Sequence, residues 1–193
     1  MKILIIFFLM GNFLFAQLPA FFDLNGYKSL KFAMSEEEAN DKITNYNLIL
    51  YADFFETVEL NDNTLLNIYK NDKDETAYYL YFHDNYLYRI EICNHIGYSY
   101  NNPRFSYPSE KSKIDDIKEK LIGEFGEVSK TDIKYYTFYD KPFEEYILWW
   151  TSDLVSVSLY IKPDLETLDK TIKKYSYRIS FYDEIKMKKI RKK

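Results

Sequence analysis

Tyr78-Tyr79-Leu80-Tyr81-Phe82 and Tyr86-Leu87-Tyr88-Arg89-Ile90-Glu91-Ile92, on either side of His83-Asp84-Asn85, decide how this chain folds. Two aromatic and aliphatic runs around a short polar break form the pattern of an antiparallel β-hairpin. His83 is expected in its turn. Further strands are legible around it. Asn47 to Glu56 and Thr64 to Lys70 are rich in Leu, Ile, Tyr and Phe. Val155, Val157, Leu159 and Ile161 alternate with Ser156, Ser158 and Tyr160, and Tyr177, Ile179 and Phe181 alternate with Arg178, Ser180 and Tyr182. Period-two alternation predicts one buried and one wet face, the habit of antiparallel sheets.

Helices punctuate the strands. Ser35-Glu36-Glu37-Glu38 has the spacing of a capping box, and three carboxylates suit the first turn of a helix ending near Ile43 or Thr44. From about Glu110 to Phe125, Ile114, Ile117, Leu121, Ile122 and Phe125 make one apolar stripe, opposite a charged face with Lys113, Asp116, Lys120 and Glu124. Ser109 is the expected N-cap, and Gly123 and Gly126 sit where the helix should stop. Leu165, Leu168 and Ile172, after Pro163 and Asp164, predict a third short helix. Asn94 to Ser109, with Pro103 and Pro108, reads as a loop. The expected fold is α+β: an antiparallel sheet with helices on one face. It has two similar passes of helix then strands, over 30–93 and 109–182, inside a single compact domain spanning 17–183.

Residues 1–16 are expected to be a signal peptide. Met1-Lys2 begins it, Ile3 to Phe15 is almost wholly apolar, and cleavage is expected after Ala16, with Ala20 as the alternative. The apolar run is 13 residues, short of the roughly 20 needed to span a bilayer as a helix. The expected destination is the periplasm or the extracellular space. Cys93 is the only cysteine, so no intramolecular disulfide can form and no lipid-bearing cysteine stands at the cut.

Charge is unevenly spread. The 26 basic and 30 acidic residues give a net −4, but residues 184–193 hold six cations: Lys186, Lys188, Lys189, Arg191, Lys192 and Lys193. Residues 17–183 retain 19 basic and 29 acidic groups, a net of −10. The segment reads as a basic tail able to make weak contact with anionic membranes, and the acidic body argues against nucleic acid. Aromatic residues make up 19% of the chain, which suits strands that bury rings and keep hydroxyls wet. Trp149 and Trp150, being adjacent, must face opposite sides.

Chemistry-bearing constellations are few. Glu91, Cys93 and His95, at i, i+2 and i+4 on an extended strand, would share one face. They offer a carboxylate, thiolate and imidazole to a metal, or a His–Cys nucleophile. Spaced roughly 7 Å apart along a strand, they could not all reach one metal unless the strand bent. Catalytic and phosphate-binding motifs such as G-x-S-x-G, H-E-x-x-H and the P-loop do not occur. No metal or cofactor is expected.

Ala33-Met34-Ser35-Glu36-Glu37-Glu38-Ala39 resembles the opening of small envelope modules in which Gly-Met-Ser/Thr precedes a capped helix and antiparallel strands. These are modules of the type of the outer-membrane assembly lipoprotein SmpA/OmlA and the β-lactamase inhibitor protein. Ala33 stands where that pattern has Gly. The resemblance implies a non-enzymatic, protein-binding module using its sheet face, and it carries over no catalytic residue. The expected function is therefore a secreted or periplasmic interaction module with an unidentified protein partner. Its contact surface would be the solvent face formed by Ser156, Ser158, Arg178, Ser180 and Tyr182. The alternative is an envelope hydrolase or metal-dependent enzyme using Glu91, Cys93 and His95.

Overall fold

The computed structural model describes residues 22–23, 26–45, 52–61, 63–96, 105–106, 108–168, 171 and 173–192. The segment expected to be a signal peptide, both expected cleavage positions and Lys193 lie outside the described residues. So do residues 47–51 of the strand expected over Asn47 to Glu56.

Eight long strands build the sheet: β1 (Asp53–Asn61), β2 (Thr64–Asn71), β3 (Thr76–His83), β4 (Tyr86–Cys93), β5 (Lys130–Phe138), β6 (Lys141–Thr151), β7 (Val155–Pro163) and β8 (Lys174–Asp183). Their order across the sheet is β5-β6-β7-β8-β4-β3-β2-β1, every neighbour antiparallel. The chain is thus two four-stranded meanders whose last strands, β4 and β8, pair at the centre. Helix α1 (Glu36–Thr44) precedes the first meander and α2 (Lys111–Phe125) the second. The fold is α+β with an antiparallel sheet, as the alternation demands.

Local chemistry explains the elements. Ser35 Oγ accepts the Glu38 N–H at 3.2 Å, and the Glu38 carboxylate accepts the Ser35 N–H at 2.8 Å, so the capping box is complete. Ala33, just before it, has φ 75°, a left-handed conformation unusual for a residue with a Cβ. The β3–β4 turn is Asp84-Asn85, with φ 52° and 56°, the doubly positive pair that matches the twist of a two-residue hairpin. His83 belongs to the strand, not the turn: it is buried and its Nδ1 lies 2.9 Å from Thr64 Oγ1 on β2.

Helix α2 begins one residue later than expected. Ser109 is drawn into a short pairing with Tyr175 of β8 and is buried there, leaving Glu110 at the N-cap with no side-chain cap bond. The helix runs through Gly123 and stops at Gly126, whose φ of 80° suits glycine and whose N–H reaches Ile122 O. The third helix expected around Leu165 opens as a 3-10 turn, Leu165–Thr167, and Ile172 of that expectation lies outside the described residues. Pro163 extends β7 opposite Tyr175, and Thr167 Oγ1 bonds Asp164 O and the Lys174 N–H, closing a tight connection. Gly26 lies where a Cβ would fall 2.0 Å from Leu30 O, so only glycine fits that chain crossing.

One face of the sheet carries the main core. Ala39 and Ile43 of α1 and Ile114 and Leu121 of α2 pack on Leu80, Ile90, Ile92, Val157, Leu159, Ile179, Phe181 and Trp150. Full burial of each aliphatic side chain stabilises by about 1.5–3 kcal/mol, so this layer positions everything on the opposite face. Trp150 is buried here with Nε1–H donating to Gly126 O, while Trp149 points the other way and stacks on Tyr182.

The opposite face is not wet. Leu66, Ile68, Ala77, Tyr79, Tyr81, Tyr88 and Cys93 form a second apolar cluster, and Met187 and Ile190 pack against it. Those two belong to α3 (Glu184–Ile190), formed by the segment read as a basic tail. Asp183 caps it, accepting the Lys186 N–H at 2.9 Å, and its apolar side seats on the sheet. Helices α1 and α2 thus share one face, as expected, and α3 takes the other.

Candidate functional site

The expected contact face is closed. Ser156, Ser158 and Ser180 are 5%, 4% and 3% exposed, and Arg178 and Tyr182 are half-buried. The alternation placed these residues correctly on one face, but solvent does not reach the serines. Across the sheet Ser158 faces Ser180, and Ser180 faces Glu91. Glu91 is fully buried and accepts hydrogen bonds from Ser180 Oγ and Tyr81 OH, both at 2.8 Å. Arg89 pairs with it directly, and Arg178 Nη1 lies 3.5 Å away. The Arg89 guanidinium lies 4.4 Å from the Tyr81 ring centroid and 5.0 Å from that of Tyr182, while Arg178 covers Tyr79 at 5.8 Å. Stacked Arg and Tyr side chains thus roof a buried carboxylate. Burial alone would raise the Glu91 pKa, but the two guanidiniums and the hydrogen bonds outweigh it and hold the carboxyl below its ordinary value.

Glu91, Cys93 and His95 do not assemble into a reactive site. Cys93 S–H donates to the backbone oxygen of His95 at 3.2 Å. Burial pushes the thiol up to about 12, which leaves almost no thiolate nucleophile at neutral pH. His95 is 1% exposed, and burial, with Arg178 second, takes its imidazole down to about 3. A neutral thiol, a neutral imidazole and a carboxylate locked to two arginines give neither a nucleophile with its base nor an open set of ligands. Among the described residues, no group of three or more His, Cys, Asp or Glu side chains is placed to hold a metal ion.

An open cleft of about 1610 Å³ lies between α1 and the β1–β2 edge, with Glu36, Asn40, Thr57, Asn67 and Phe54 among its walls. Its polar groups bond one another. Asn67 Nδ2–H donates to Glu36 Oε1 at 2.9 Å, Thr57 Oγ1–H to Asn67 Oδ1 at 2.7 Å, and Tyr69 OH to Asn40 Oδ1 at 3.2 Å. These bonds tie α1 to β2 and β2 to β1 along the cleft wall.

The exposed apolar surface lies elsewhere. Strands β5 and β6 pair along nine residues, from Lys130↔Trp149 to Phe138↔Lys141, but β6 pairs with β7 only from Tyr146 onward. The hairpin from Lys134 to Glu145 therefore projects as a two-stranded arm. Ile133, at its base opposite Tyr146, and Tyr135, Tyr136, Phe138 and Tyr139 on it are 42%, 73%, 42%, 36% and 83% exposed. Tyr136 stacks on Phe143 at 5.5 Å, and Phe138 meets Tyr139 edge-on at 4.5 Å. At the tip, Tyr139 and Asp140 have φ 46° and 62°. This is the same doubly positive two-residue hairpin turn as Asp84-Asn85, here with a tyrosine in its first position. Sequence reasoning missed this arm, although its signal was present: Tyr135-Tyr136-Thr137-Phe138 and Phe143 flank Tyr139-Asp140 as the first hairpin's runs flank Asp84-Asn85.

On the far side, α3 turns Lys188, Lys189, Arg191 and Lys192 to solvent, and Lys186 lies over the Tyr86 ring at 4.7 Å. Among the described residues no helix is long and apolar enough to cross a membrane. No family model, no curated protein and no solved structure matches this chain.

Proposed function

We propose that the protein is an exported, non-enzymatic interaction module, acting in the periplasm or outside the cell, that holds a protein partner with its β5–β6 arm. One observation carries the reading. Of the ten exposed large apolar side chains among the described residues, five lie within Ile133 to Tyr139. Ile133 and Tyr135 lie on one face of the strand and Tyr136 and Phe138 on the other, so the arm offers exposed apolar side chains on both faces, and tyrosine is among the residues that supply most binding energy at protein contacts. The apolar run before Ala16 supports export. The resemblance of Ala33 to Ala39 to envelope binding modules points the same way. The exposed cations of α3 add a weak, salt-sensitive attraction to anionic lipid as a secondary contact.

The test is site-specific photo-cross-linking in the source cells. A photoreactive residue at Tyr135 or Tyr139 is expected to give discrete protein adducts, and one at Lys113, exposed on α2, none. Absence of adducts from the arm, or equal adducts from all three positions, overturns the proposal.

A further inference from the structure

We infer that the arm's partner is a second copy of this chain, joined edge to edge through β5 in an antiparallel register centred on Ile133; this rests on the arm being the contact surface. The two ends of the sheet differ. β1 is broken by register shifts between Phe54 and Glu56 and between Glu59 and Asn61. Bulges of that kind turn an edge away from further pairing. β5 pairs with β6 over nine residues without a shift, has no other strand partner among the described residues, and exposes eight of its nine residues. It is the long, regular, open edge that proteins ordinarily block.

Symmetry limits how it can pair with itself. A two-fold axis perpendicular to the sheet keeps like faces together, so each allowed register is centred on one residue. Centred on Ile133, the register sets Asp132 against the second copy's Lys134 and Lys134 against its Asp132. Lys130 meets Tyr136, Thr131 meets Tyr135, and Ile133 meets itself. Centring on Asp132 opposes Asp132 to itself and Lys130 to Lys134. Centring on Lys134 opposes two lysines, and centring on Tyr135 or Tyr136 forms no ion pair within the strand. Among registers overlapping five or more strand residues, only the Ile133 one pairs opposite charges, and it does so twice. Opposed unlike charges and aromatic pairs favour a cross-strand register, whereas like charges oppose it. Lys134 of each copy is thereby given a carboxylate, and Asp132, which already pairs with Lys130 at 2.9 Å on its own strand, would bridge the two lysines. A strand of foreign sequence gives no reason for β5 to be charge-complementary to itself about one residue; a second copy does.

Cysteine cross-linking reads the register directly. Residues facing each other across an antiparallel pair have Cα atoms about 4.5–5.5 Å apart, inside the disulfide range. Cys93 is buried and does not compete. Under mild oxidation Ile133→Cys is expected to form a covalent dimer. Thr131→Cys and Tyr135→Cys should each stay monomeric alone, because like positions lie ~13 Å apart, and should cross-link when mixed. In sedimentation, Lys134→Asp and Asp132→Lys should each weaken association at least tenfold, and the double reversal should restore it to within about threefold. Lys134→Asp serves if Asp132→Lys misfolds through its bond to Trp149 Nε1. A wild-type chain that stays monomeric at on the order of 100 μM overturns the inference, as does Thr131→Cys dimerising as readily as Ile133→Cys. In either case, photo-adducts from Tyr135 to a different protein would leave the interaction-module reading standing.

Discussion

Ser180 Oγ donates a hydrogen bond to Glu91 Oε1 across 2.8 Å, and both residues are buried. Ser180 lies on β8 and Glu91 on β4, so the bond crosses the seam where the two meanders meet. A carboxylate at that depth needs several donors and a counter-charge, and Tyr81, Arg89 and Arg178 complete the set. The serines of the C-terminal strands therefore serve the interior.

Removing the carboxylate charge leaves two half-buried guanidiniums facing a neutral group. Glu91→Gln is expected to lower stability by about 3 kcal/mol and Ser180→Ala by about 1 kcal/mol. Urea midpoints with unchanged slopes measure both; a loss below the noise for Glu91→Gln contradicts the network.

Acid should act on the fold in two windows. His95 has its pKa held down to about 3 by burial, against about 6.5 when unfolded. Between those values the unfolded chain binds a proton that the folded chain refuses. Stability therefore falls as pH drops from 6.5, by up to about 1.4 kcal/mol per pH unit. Glu91, whose folded pKa is depressed from 4.5, contributes fully above that value, and its share is lost as pH falls further. Stability measured from pH 7 to 3 should flatten between 6.5 and 4.5 in His95→Gln, and lose part of its slope below 4.5 in Glu91→Gln.

Cys93 should be inert while the chain is folded. With the thiol pushed up to about 12 and no exposure, alkylation at pH 8 is expected to be at least about a hundredfold slower than in denaturant. Fast native labelling would show that the second apolar cluster opens.

Helix α3 is a structural element, so Met187→Asp should destabilise the fold by roughly 1–3 kcal/mol, while Lys189→Asp, at an exposed position, should change it by less than about 0.5 kcal/mol. Equal effects of the two in thermal melts would mean the segment is an undocked tail.

Ala33 occupies a left-handed conformation, with φ 75°. Ala33→Gly is expected to stabilise by about 0.5–1 kcal/mol, since the relief of Cβ crowding exceeds the added entropy of the unfolded chain. Calorimetry of the two proteins decides it.

Local signals proved sufficient wherever the deciding interaction is close in sequence. The Ser35–Glu38 box, the α2 stripe, the β3–β4 hairpin and the opposed Trp149 and Trp150 all depend on neighbours within a few residues, and all are legible by inspection. Ser109 and Pro163 misled because each is claimed by Tyr175 of β8, far along the chain. Similarly, the serine-bearing face looked wet because alternation reports polarity, not cover.

Sequence alone determined the class of fold and, for the strands and helices legible in it, which residues share a face, since periodicity and capping act through adjacent residues. Only the tertiary structure decided that β4 meets β8, that α3 and a roof of Arg and Tyr close the second face, and that the β5–β6 arm is left open. Those outcomes depend on which surfaces meet across long stretches of chain. Polarity at a position is compatible with water or with a buried partner, and only the three-dimensional packing chooses between them.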